Sequence, residues 1–364
     1  MNSVARKKRV VVAMSGGVDS SVAAALLLEQ GYEVIGMMLR LWNEPGSQSS
    51  NRCCSPESMA LARRVAAILG IPFYAVDVQQ IFYDKVVTYF LDGYAKGTTP
   101  NPCLVCNRNI RFEFLLNHAQ AIGADFLATG HYARLRMSET KKVQLLKSID
   151  KEKDQSYVLH ILDQHQLSLA KFPLGDYTKV QVRQLAEKFA LPVANRRDSQ
   201  DLCFLAGGDY RDFLSRNSTQ ALSPGWIKNT SGKIIGEHQG LSRYTIGQRK
   251  GLNSPSMGKP QYVIEKDIQT NTLFVGTEAE LGKSQLIAKG FNWISGEKPR
   301  HPIRAVTKIR YKSQDAWSTI TPLEDRDTYI QFDKPLRDIT PGQAAVIYQN
   351  EVCLGGGIIH QAIF

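Results

Sequence analysis

Two glycines and two serines stand close together in residues 15–20 (SGGVDS), near the start of the chain. A β-branched apolar run over residues 10–14 precedes this segment, and apolar residues at helical spacing follow it over residues 20–30. Such glycines let a backbone turn tightly and aim several N–H groups at one point, where the N-terminus of the next helix also favours an anion. The sequence therefore predicts a phosphate-binding loop, with a plain helix cap at Asp19 or Ser20 as the alternative.

The loop differs from a Walker A loop, because no Gly-Lys-Ser or Gly-Lys-Thr sequence follows it. A Walker lysine holds the β- and γ-phosphates for transfer of the γ-phosphoryl group. A loop without that lysine suits a reaction in which pyrophosphate is the leaving group. The segment therefore favours cleavage of a nucleotide between its α- and β-phosphates.

Thiols supply the second candidate chemistry. Cys106 lies in residues 99–107 (TPNPCLVCN), where two prolines remove backbone donors and stiffen the chain. We expect it to stand just before a helix over residues 108–122, whose N-terminal dipole, together with Arg108 and Arg111, would favour the thiolate. A nucleophilic cysteine and a small buried residue at a helix start are both compatible with these residues alone.

Cys203 is a second cysteine with polar neighbours, in residues 198–204 (DSQDLCF), although an isolated cysteine is more often a packed core thiol. The six cysteines of the chain are Cys53, Cys54, Cys103, Cys106, Cys203 and Cys353. Because the chain is long and its start lacks the pattern of a signal peptide, we expect reduced thiols and a cytoplasmic location. No apolar run approaches the ~18–20 residues that span a bilayer, so we expect no membrane partner.

The composition is that of a folded, basic protein. The 364 residues are 43% hydrophobic and 22% charged, which excludes a disordered or low-complexity chain. Lys and Arg (45) exceed Asp and Glu (34), which gives a formal charge of +11. Such an excess favours a polyanionic partner such as nucleic acid, although many other enzymes are also basic.

Strand and helix patterns alternate through the first half of the chain. Strands are predicted over residues 10–14, 33–39, 73–78 and 126–129, and helices over residues 20–30, 55–69, 81–94, 108–122 and 178–189. This alternation predicts a doubly wound parallel α/β sheet, whose ligands bind at the carboxyl ends of the strands. Short strands and turn signals dominate after residue 223, and the pattern after residue 286 predicts a small barrel or sandwich.

Seven short motifs, spread over most of the chain, resemble those of the tRNA-specific 2-thiouridylases, a family of N-type ATP pyrophosphatases. They are AMSGGVDS at 13–20, NPCLVCNRNIRF at 101–112, ATGHYA at 128–133, KDQSY at 153–157, DSQDLCF at 198–204, GQRKG at 247–251 and RY at 310–311. Enzymes of this family use ATP to replace the C2 oxygen of the wobble uridine, position 34 of tRNA, with sulfur. We therefore expect an ATP pyrophosphatase domain over residues 1–206, a small α+β central domain that contacts tRNA over residues 207–282, and a C-terminal β-barrel over residues 283–364.

The resemblance also implies roles for individual residues. ATP would be bound by Ala13, Met14, Ser15, Gly16, Gly17, Val18, Asp19, Ser20, Leu39 and Gly130, with Asp19 also assisting Mg²⁺. Cys106 would be the nucleophile, and Cys203 would carry the persulfide sulfur. tRNA would be contacted by Asn101, Pro102, Cys103, His131, Lys153, Asp154, Gln155, Arg310, Tyr311 and Gln343.

The expected chemistry agrees with this assignment. Adenylation turns the poor leaving oxygen at C2 into a phosphate ester that can depart as AMP. The terminal persulfide sulfur of Cys203 can then attack C2, or Cys106 can attack the inner sulfur, release sulfide and form a disulfide. Both routes require the two thiols to meet in the fold. The resemblance implies tRNAs for glutamate, glutamine and lysine, with either a cysteine desulfurase or a relay protein as sulfur donor.

One position departs from the family pattern. Cys103 stands where the family usually has an aspartate, and a thiol exchanges a proton less readily at neutral pH than a carboxylate does. With Cys106 it forms a Cys-x-x-Cys spacing, and with Cys203 it could supply three thiolates to an iron–sulfur cluster. Two other functions stay open: a different adenylating enzyme that acts on a small metabolite, and a non-catalytic RNA-binding protein.

Overall fold

The computed structural model describes residues 6–44, 55–196, 202–205, 208–217, 223–252 and 260–363. Cys53, Cys54 and residues 198–201 of the motif that precedes Cys203 lie outside these ranges. Within them, no helix has the length and apolar character that a membrane crossing needs.

Strands and helices of the described residues fall in three groups along the chain. The strands are β1 (Arg9–Ala13), β2 (Glu33–Arg40), β3 (Phe73–Asp77), β4 (Phe126–Thr129), β5 (Ala133–Met137), β6 (Val143–Lys147), β7 (Ala170–Lys171), β8 (Gly225–Asn229), β9 (Ile234–His238), β10 (Tyr262–Asp267), β11 (Thr272–Gly276), β12 (Lys283–Trp293), β13 (Ile303–Lys308), β14 (Ala316–Pro322), β15 (Thr328–Leu336), β16 (Ala344–Gln349) and β17 (Val352–Ile363). The helices are α1 (Val18–Glu29), α2 (Pro56–Leu69), α3 (Gln79–Phe82), α4 (Thr88–Ala95), α5 (Pro102–Val105), α6 (Leu116–Ala121), α7 (Ser156–Leu159), α8 (Gln164–Leu169), α9 (Lys179–Lys188), α10 (Tyr210–Asn217) and α11 (Glu278–Leu281). π-helical turns over Tyr83–Val87 and Cys106–Leu115 join α3 to α4 and α5 to α6, and 3₁₀ turns lie at Cys203–Leu205 and Leu241–Arg243.

A parallel sheet with helices on both faces forms the first domain, as the sequence predicts. Its strand order is β3-β2-β1-β4-β7, and every pairing is parallel. The central strand β1 is fully buried at Val10, Val11 and Val12, because both of its faces are covered. Helices α1, α2 and α9 pack on the face of Val10 and Val12, whereas the helix over residues 102–121 packs on the face of Val11.

Local signals set the ends of α2. The Ser55 hydroxyl accepts a hydrogen bond from Ser58 N at 3.1 Å, and Pro56 occupies the first helical position, where its missing N–H costs nothing. Gly70 ends the helix in the left-handed region at φ +65°. The helix predicted over residues 55–69 is therefore confirmed.

The central and C-terminal parts are β-rich. Strands β8 to β11 form a four-stranded sheet in the order β10-β11-β8-β9. Strands β12-β15-β14-β13-β16-β17 pair antiparallel in turn, and β17 pairs back with β12, so six strands close a barrel. The expected C-terminal barrel is therefore confirmed.

A hairpin of the first domain extends the barrel sheet. Strands β5 and β6 pair with each other, and β6 pairs with β17 through Leu146 opposite Val352 and Leu145 opposite Cys353. Sequence reasoning missed both strands. Because the hairpin belongs to the α/β domain, its pairing with β17 joins the barrel to that domain by main-chain hydrogen bonds.

Candidate nucleotide and thiol site

The predicted phosphate loop connects β1 to α1. Gly17 is the N-cap of α1, in place of the alternative cap at Asp19 or Ser20, and no side chain caps this helix. The first N–H groups of α1 are thus without a side-chain acceptor, which is what a phosphate site at a helix start requires. The Ser20 hydroxyl closes the loop from within, because it accepts a hydrogen bond from the Ser15 N–H at 3.1 Å.

Gly16 is the tightest point of the loop. Its φ is +70°, and a Cβ there would overlap the carbonyl oxygen of Ser58. Arg196 braces the same turn, since Nη1 donates to Gly16 O at 2.6 Å and Nη2 donates to Ser58 Oγ at 2.7 Å. No short motif in the sequence marks Arg196, and our sequence analysis missed it.

The other residues expected to bind ATP lie at the same edge of the sheet. Ala13 is the last residue of β1, and Leu39 is next to the last residue of β2. Gly130 follows β4 and lies against the loop, because a Cβ at this position would come within 2.8 Å of Ser20 N. Met14 is buried, at 3% exposure, so its side chain belongs to the core. The predicted nucleotide site therefore lies at the carboxyl ends of β1, β2 and β4.

Asp19 is held by two side chains that the sequence analysis did not single out. Lys179 Nζ lies 2.7 Å from Asp19 Oδ1 and 2.8 Å from Oδ2, and the Tyr132 hydroxyl donates to Oδ1 at 2.7 Å. Tyr132 belongs to the ATGHYA motif, which offered a signal, whereas Lys179 is brought in by α9 from far along the chain. Both oxygens of the carboxylate are therefore engaged by a cation of the protein itself.

One apolar cluster holds both candidate thiols. We call it the thiol cluster, and its buried members are Leu41, Val78, Phe82, Val86, Val87, Phe90, Tyr94, Cys106, Ile110, Phe204, Phe213 and Leu214. Cys106 is 8% exposed within it, and the half-buried Cys203 packs against it. Leu39 packs against it too, so the cluster reaches from the thiols to the end of β2. The structure thus brings the two predicted catalytic cysteines to a single cluster beside the nucleotide site.

The expectation that Cys106 precedes a helix over residues 108–122 is wrong. The helix begins at Pro102, because Pro102 takes the first helical position and the Asn101 side chain accepts a hydrogen bond from Cys103 N at 3.1 Å. Cys106 lies one turn inside, at the start of the π-helical turns. The exposed Cys103 is therefore the thiol in the first turn, where the helix dipole acts most strongly.

Arg111 contacts two polar side chains of the site. Its guanidinium donates to Asn107 Oδ1 at 2.7 Å and lies 3.4 Å from His131 Nε2. His131 is buried, and its Nδ1 lies 2.7 Å from Thr129 Oγ1. Because Arg111 only donates, Nε2 accepts and Nδ1–H donates to Thr129. Burial, reinforced by Arg111, lowers the pKa of His131 well below its usual value, so His131 is a neutral group at neutral pH.

The loop that carries the predicted base contacts is held by the barrel. Gln343 Nε2 donates to Thr99 O at 2.8 Å, and Thr99 N donates to Pro341 O at 2.9 Å. These bonds fix the chain just before Asn101 and the buried Pro102. Gln343 and Asn101, which the family resemblance implies as tRNA contacts, therefore belong to one contact region.

Tyr311 lies in the turn after β13. Burial raises its pKa to about 12, and the charges of Asp154 and Cys103 add to that rise. Lys153 and Gln155 flank Asp154 and are half-buried. Tyr311, Asp154 and Cys103, which belong to three separate motifs, thus influence one another electrostatically.

Two of the predicted tRNA contacts have internal roles. Asp154 is buried, and Oδ1 accepts hydrogen bonds from Ser148 N at 3.1 Å and Ser156 N at 3.2 Å. Arg310 donates to Ile246 O at 3.2 Å and so ties the central domain to the barrel. Through these hydrogen bonds, both side chains stabilise the surface around them.

The three thiolates of the iron–sulfur alternative are not assembled as a ligand set. Across the described ranges, no three His, Cys, Asp or Glu side chains are grouped so that they could hold a metal ion. The structure records Cys103, Cys106 and Cys203 as thiols, with Cys103 exposed and Cys106 buried.

Three family models match successive parts of the chain. They are described as a tRNA methyl transferase HUP domain over residues 8–207, a tRNA methyl transferase PRC-barrel domain over residues 211–277 and an aminomethyltransferase β-barrel domain over residues 283–359.

Curated relatives match nearly the whole chain. The tRNA-specific 2-thiouridylase MnmA of Acetivibrio thermocellus is 46% identical over 97% of this chain and 99% of the relative. The enzyme of the same name from Moorella thermoacetica is 47% identical over 96% of this chain and 98% of the relative. At this identity and coverage, the chain belongs to the tRNA-specific 2-thiouridylase family.

Proposed function

We propose that this protein catalyses the ATP-dependent 2-thiolation of the wobble uridine, position 34, of tRNA. The observation that carries the proposal is the packing of Cys106 and Cys203 against one cluster, which Leu39 connects to the edge of the sheet where the phosphate loop lies. A methyl transfer, which the domain descriptions name, would use neither this pair of thiols nor a loop for pyrophosphate.

The first step consumes ATP. The C2 oxygen of uridine attacks the α-phosphorus, the bond to the β-phosphate oxygen breaks, and pyrophosphate leaves while AMP stays bonded to O2. The uncapped start of α1 and the turn at Gly16 provide N–H groups for the departing phosphates. Asp19 has the carboxylate oxygens that Mg²⁺ prefers, and it would hold the ion once Lys179 has moved from it to the phosphates.

The second step transfers sulfur. The terminal sulfur of a Cys203 persulfide attacks C2, and the C2–O bond breaks so that AMP leaves. Cys106 thiolate attacks the inner sulfur of Cys203 and the bond from that sulfur to the transferred sulfur breaks, so the two cysteines supply the two electrons that reduce the transferred sulfur and are themselves oxidised to a disulfide. In the alternative order, Cys106 attacks first and releases sulfide, which then attacks C2. A thiol reductant returns both cysteines to the reduced state for the next turnover.

The RNA must present a base that has left its stack. Asn101, Pro102 and Cys103 would contact the target base, with Gln343 supporting their loop through Thr99. His131, Lys153, Gln155 and Tyr311 would contact adjacent nucleotides, and Asp154 and Arg310 would act as supports of these contacts. The substrates we propose are the cytoplasmic tRNAs for glutamate, glutamine and lysine, with a cysteine desulfurase or a relay protein as sulfur donor.

Nucleoside mass spectrometry of tRNA tests the proposal. Wild-type protein, incubated with ATP, tRNA and a desulfurase with cysteine, should yield 2-thiouridine and one AMP for each thiolated base. Cys203→Ser should still release pyrophosphate in the presence of tRNA but yield no thiolated base, and Cys106→Ser should do the same. Cys353→Ala is the matched control, since this thiol lies buried in another cluster, and it should thiolate normally.

Three outcomes would contradict the proposal. AMP release that is indifferent to RNA would favour an adenylating enzyme for a small metabolite. RNA binding without any pyrophosphate release would favour a non-catalytic RNA-binding protein. Thiolation that persists with desulfurase-supplied sulfur in both cysteine variants would exclude the sulfur relay through these thiols.

A further inference from the structure

Two cavities lie side by side between the helices over residues 79–121 and the barrel. Their volumes are about 230 and 290 Å³, and both are lined by Tyr89, Lys289 and Ile358. We call the pair the basic groove. Its lining residues include neither the candidate thiols nor any residue of the phosphate loop.

The groove carries an excess of positive charge. Arg108 and Lys289 line the smaller cavity, Lys96 and Lys289 line the larger one, and Asp92 is the acidic residue beside them. Among the salt bridges formed between described residues, none includes Lys96, Arg108 or Lys289, and all three are exposed. In a protein where many other surface arginines pair with a carboxylate, these cations remain available to an external anion.

The guanidinium of Arg108 also has a like-charged neighbour. Although the residue is exposed, its head group lies in the recess, and the protein around it lowers the pKa, with Arg326 contributing further in the same direction. Two cations that disfavour one another gain from an anion placed between them.

The shape of the groove indicates the kind of anion. Small molecules commonly occupy one enclosed pocket of ~300–1,000 Å³, whereas this groove consists of two adjoining cavities of about 230 and 290 Å³. The groove also runs beside the loop of the proposed base contacts, because Thr98 and Pro100 line one cavity and Leu104 lines the other. A chain of phosphates connected by sugars fits two adjoining shallow recesses better than an enclosed nucleotide does.

We infer that the basic groove binds the sugar–phosphate backbone of the RNA substrate through Lys96, Arg108 and Lys289. The inference rests on the proposed function and adds to it a site that positions the RNA without reading its sequence. Phosphates in the groove would hold the strand on the barrel side of the loop while the target base enters the site on its other side.

The salt dependence of tRNA binding tests this site separately from catalysis. In Arg108→Gln/Lys289→Gln, the slope of log K against log salt should fall by about 0.7–0.9 for each lost phosphate contact. Affinity should fall equally for tRNA with uridine or cytidine at the wobble position, because phosphate contacts carry no base information. Arg64→Gln is the matched control, since this exposed residue lies in α2, on the opposite face of the sheet, and its slope should equal that of the wild type.

Single variants keep the test decisive if the double variant folds poorly. Lys289 is exposed on β12, so Lys289→Gln should fold and lose about one phosphate contact, while Lys289→Arg should restore it. An unchanged slope in Lys289→Gln and in Arg108→Gln would overturn the inference. A normal slope combined with loss of sulfur delivery from the desulfurase would also overturn it, and would assign the groove to an acidic protein partner. Failure of the wild type to thiolate tRNA would contradict the proposed function. The salt dependence of tRNA binding would still test the groove, because it is measured without catalysis.

Discussion

Lys179 and Asp19 form an ion pair at the phosphate loop, with the ammonium 2.7 and 2.8 Å from the two carboxylate oxygens. The Lys179 side chain is only 11% exposed, whereas that of Asp19 is 33% exposed and faces the nucleotide site. The phosphate loop contains no lysine, and Lys179, the first residue of α9, brings one to it. The pair places a positive charge beside the proposed pyrophosphate position before any nucleotide arrives.

Replacing this lysine should weaken nucleotide binding. In Lys179→Met we expect the affinity for Mg·ATP to fall by about 10- to 100-fold, since a hydrogen bond to a charged group contributes about 1.5–3 kcal/mol. Isothermal titration with a non-hydrolysable ATP analogue measures the change. Lys188→Met is the control, because Lys188 lies on the same helix and pairs with Glu29 at 3.0 Å on the exposed surface. Equal ATP affinity in the two variants, with a lower melting temperature for Lys179→Met alone, would make the pair a structural brace.

The sequence predicted the elements whose signals are local. The apolar run of β1 and the serine, proline and glycine of α2 were sufficient, because each of these signals acts within a few residues. The position of Cys106 relative to its helix was predicted wrongly, because Pro102 was interpreted as stiffening a loop. A proline also suits the first position of a helix, which is where Pro102 lies. Where one residue type suits two local structures, the sequence alone does not decide between them, because the choice depends on tertiary contacts.

Contacts between distant segments lay beyond the sequence. Lys179 and Arg196 reach the phosphate loop from more than 150 residues away, and no spacing rule connects them to it. The hairpin of β5 and β6 was missed because it completes its pairing with β17, at the far end of the chain. The family resemblance named the ATP and thiol residues, but it could not say that Asp154 and Arg310 support their neighbours from within.

Alanine substitutions at Gly16 and Gly31 can distinguish the effect of the loop's tight turn on ATP binding from the effect of backbone strain on stability. Both have a left-handed φ, +70° and +86°, but a Cβ at Gly16 would overlap Ser58 O while one at Gly31 would meet nothing within 4 Å. Gly31→Ala should therefore lower the free energy of unfolding by about 1–2 kcal/mol and leave ATP binding intact. Gly16→Ala should lower stability further and abolish ATP binding, as measured by urea unfolding and by titration. ATP binding by Gly16→Ala at the wild-type level would show that the loop does not need its tight turn.

His160 is a buried imidazole beneath the barrel, 1% exposed, whose Nδ1 lies 2.6 Å from Tyr157 O. Burial lowers its pKa to about 4, the bond to Tyr157 opposes that shift, and the positive charge of Arg108 adds to it. The unfolded chain binds a proton at this residue below pH ~6.5, whereas the folded protein resists protonation down to about pH 4. Its contribution to stability is therefore fully present above pH 6.5 and is lost as the pH falls towards 4.

Acid unfolding of His160→Gln should show this contribution directly. The glutamine amide can still donate to Tyr157 O, but it does not titrate. Between pH 6.5 and 4 the wild type should lose stability more steeply than the variant, by up to about 1.4 kcal/mol per pH unit for the one proton involved. Urea unfolding at several pH values measures the difference, and His301→Gln, a change at an exposed histidine, should follow the wild-type curve. Parallel curves for wild type and His160→Gln would mean that this imidazole takes up its proton equally in the folded and unfolded states.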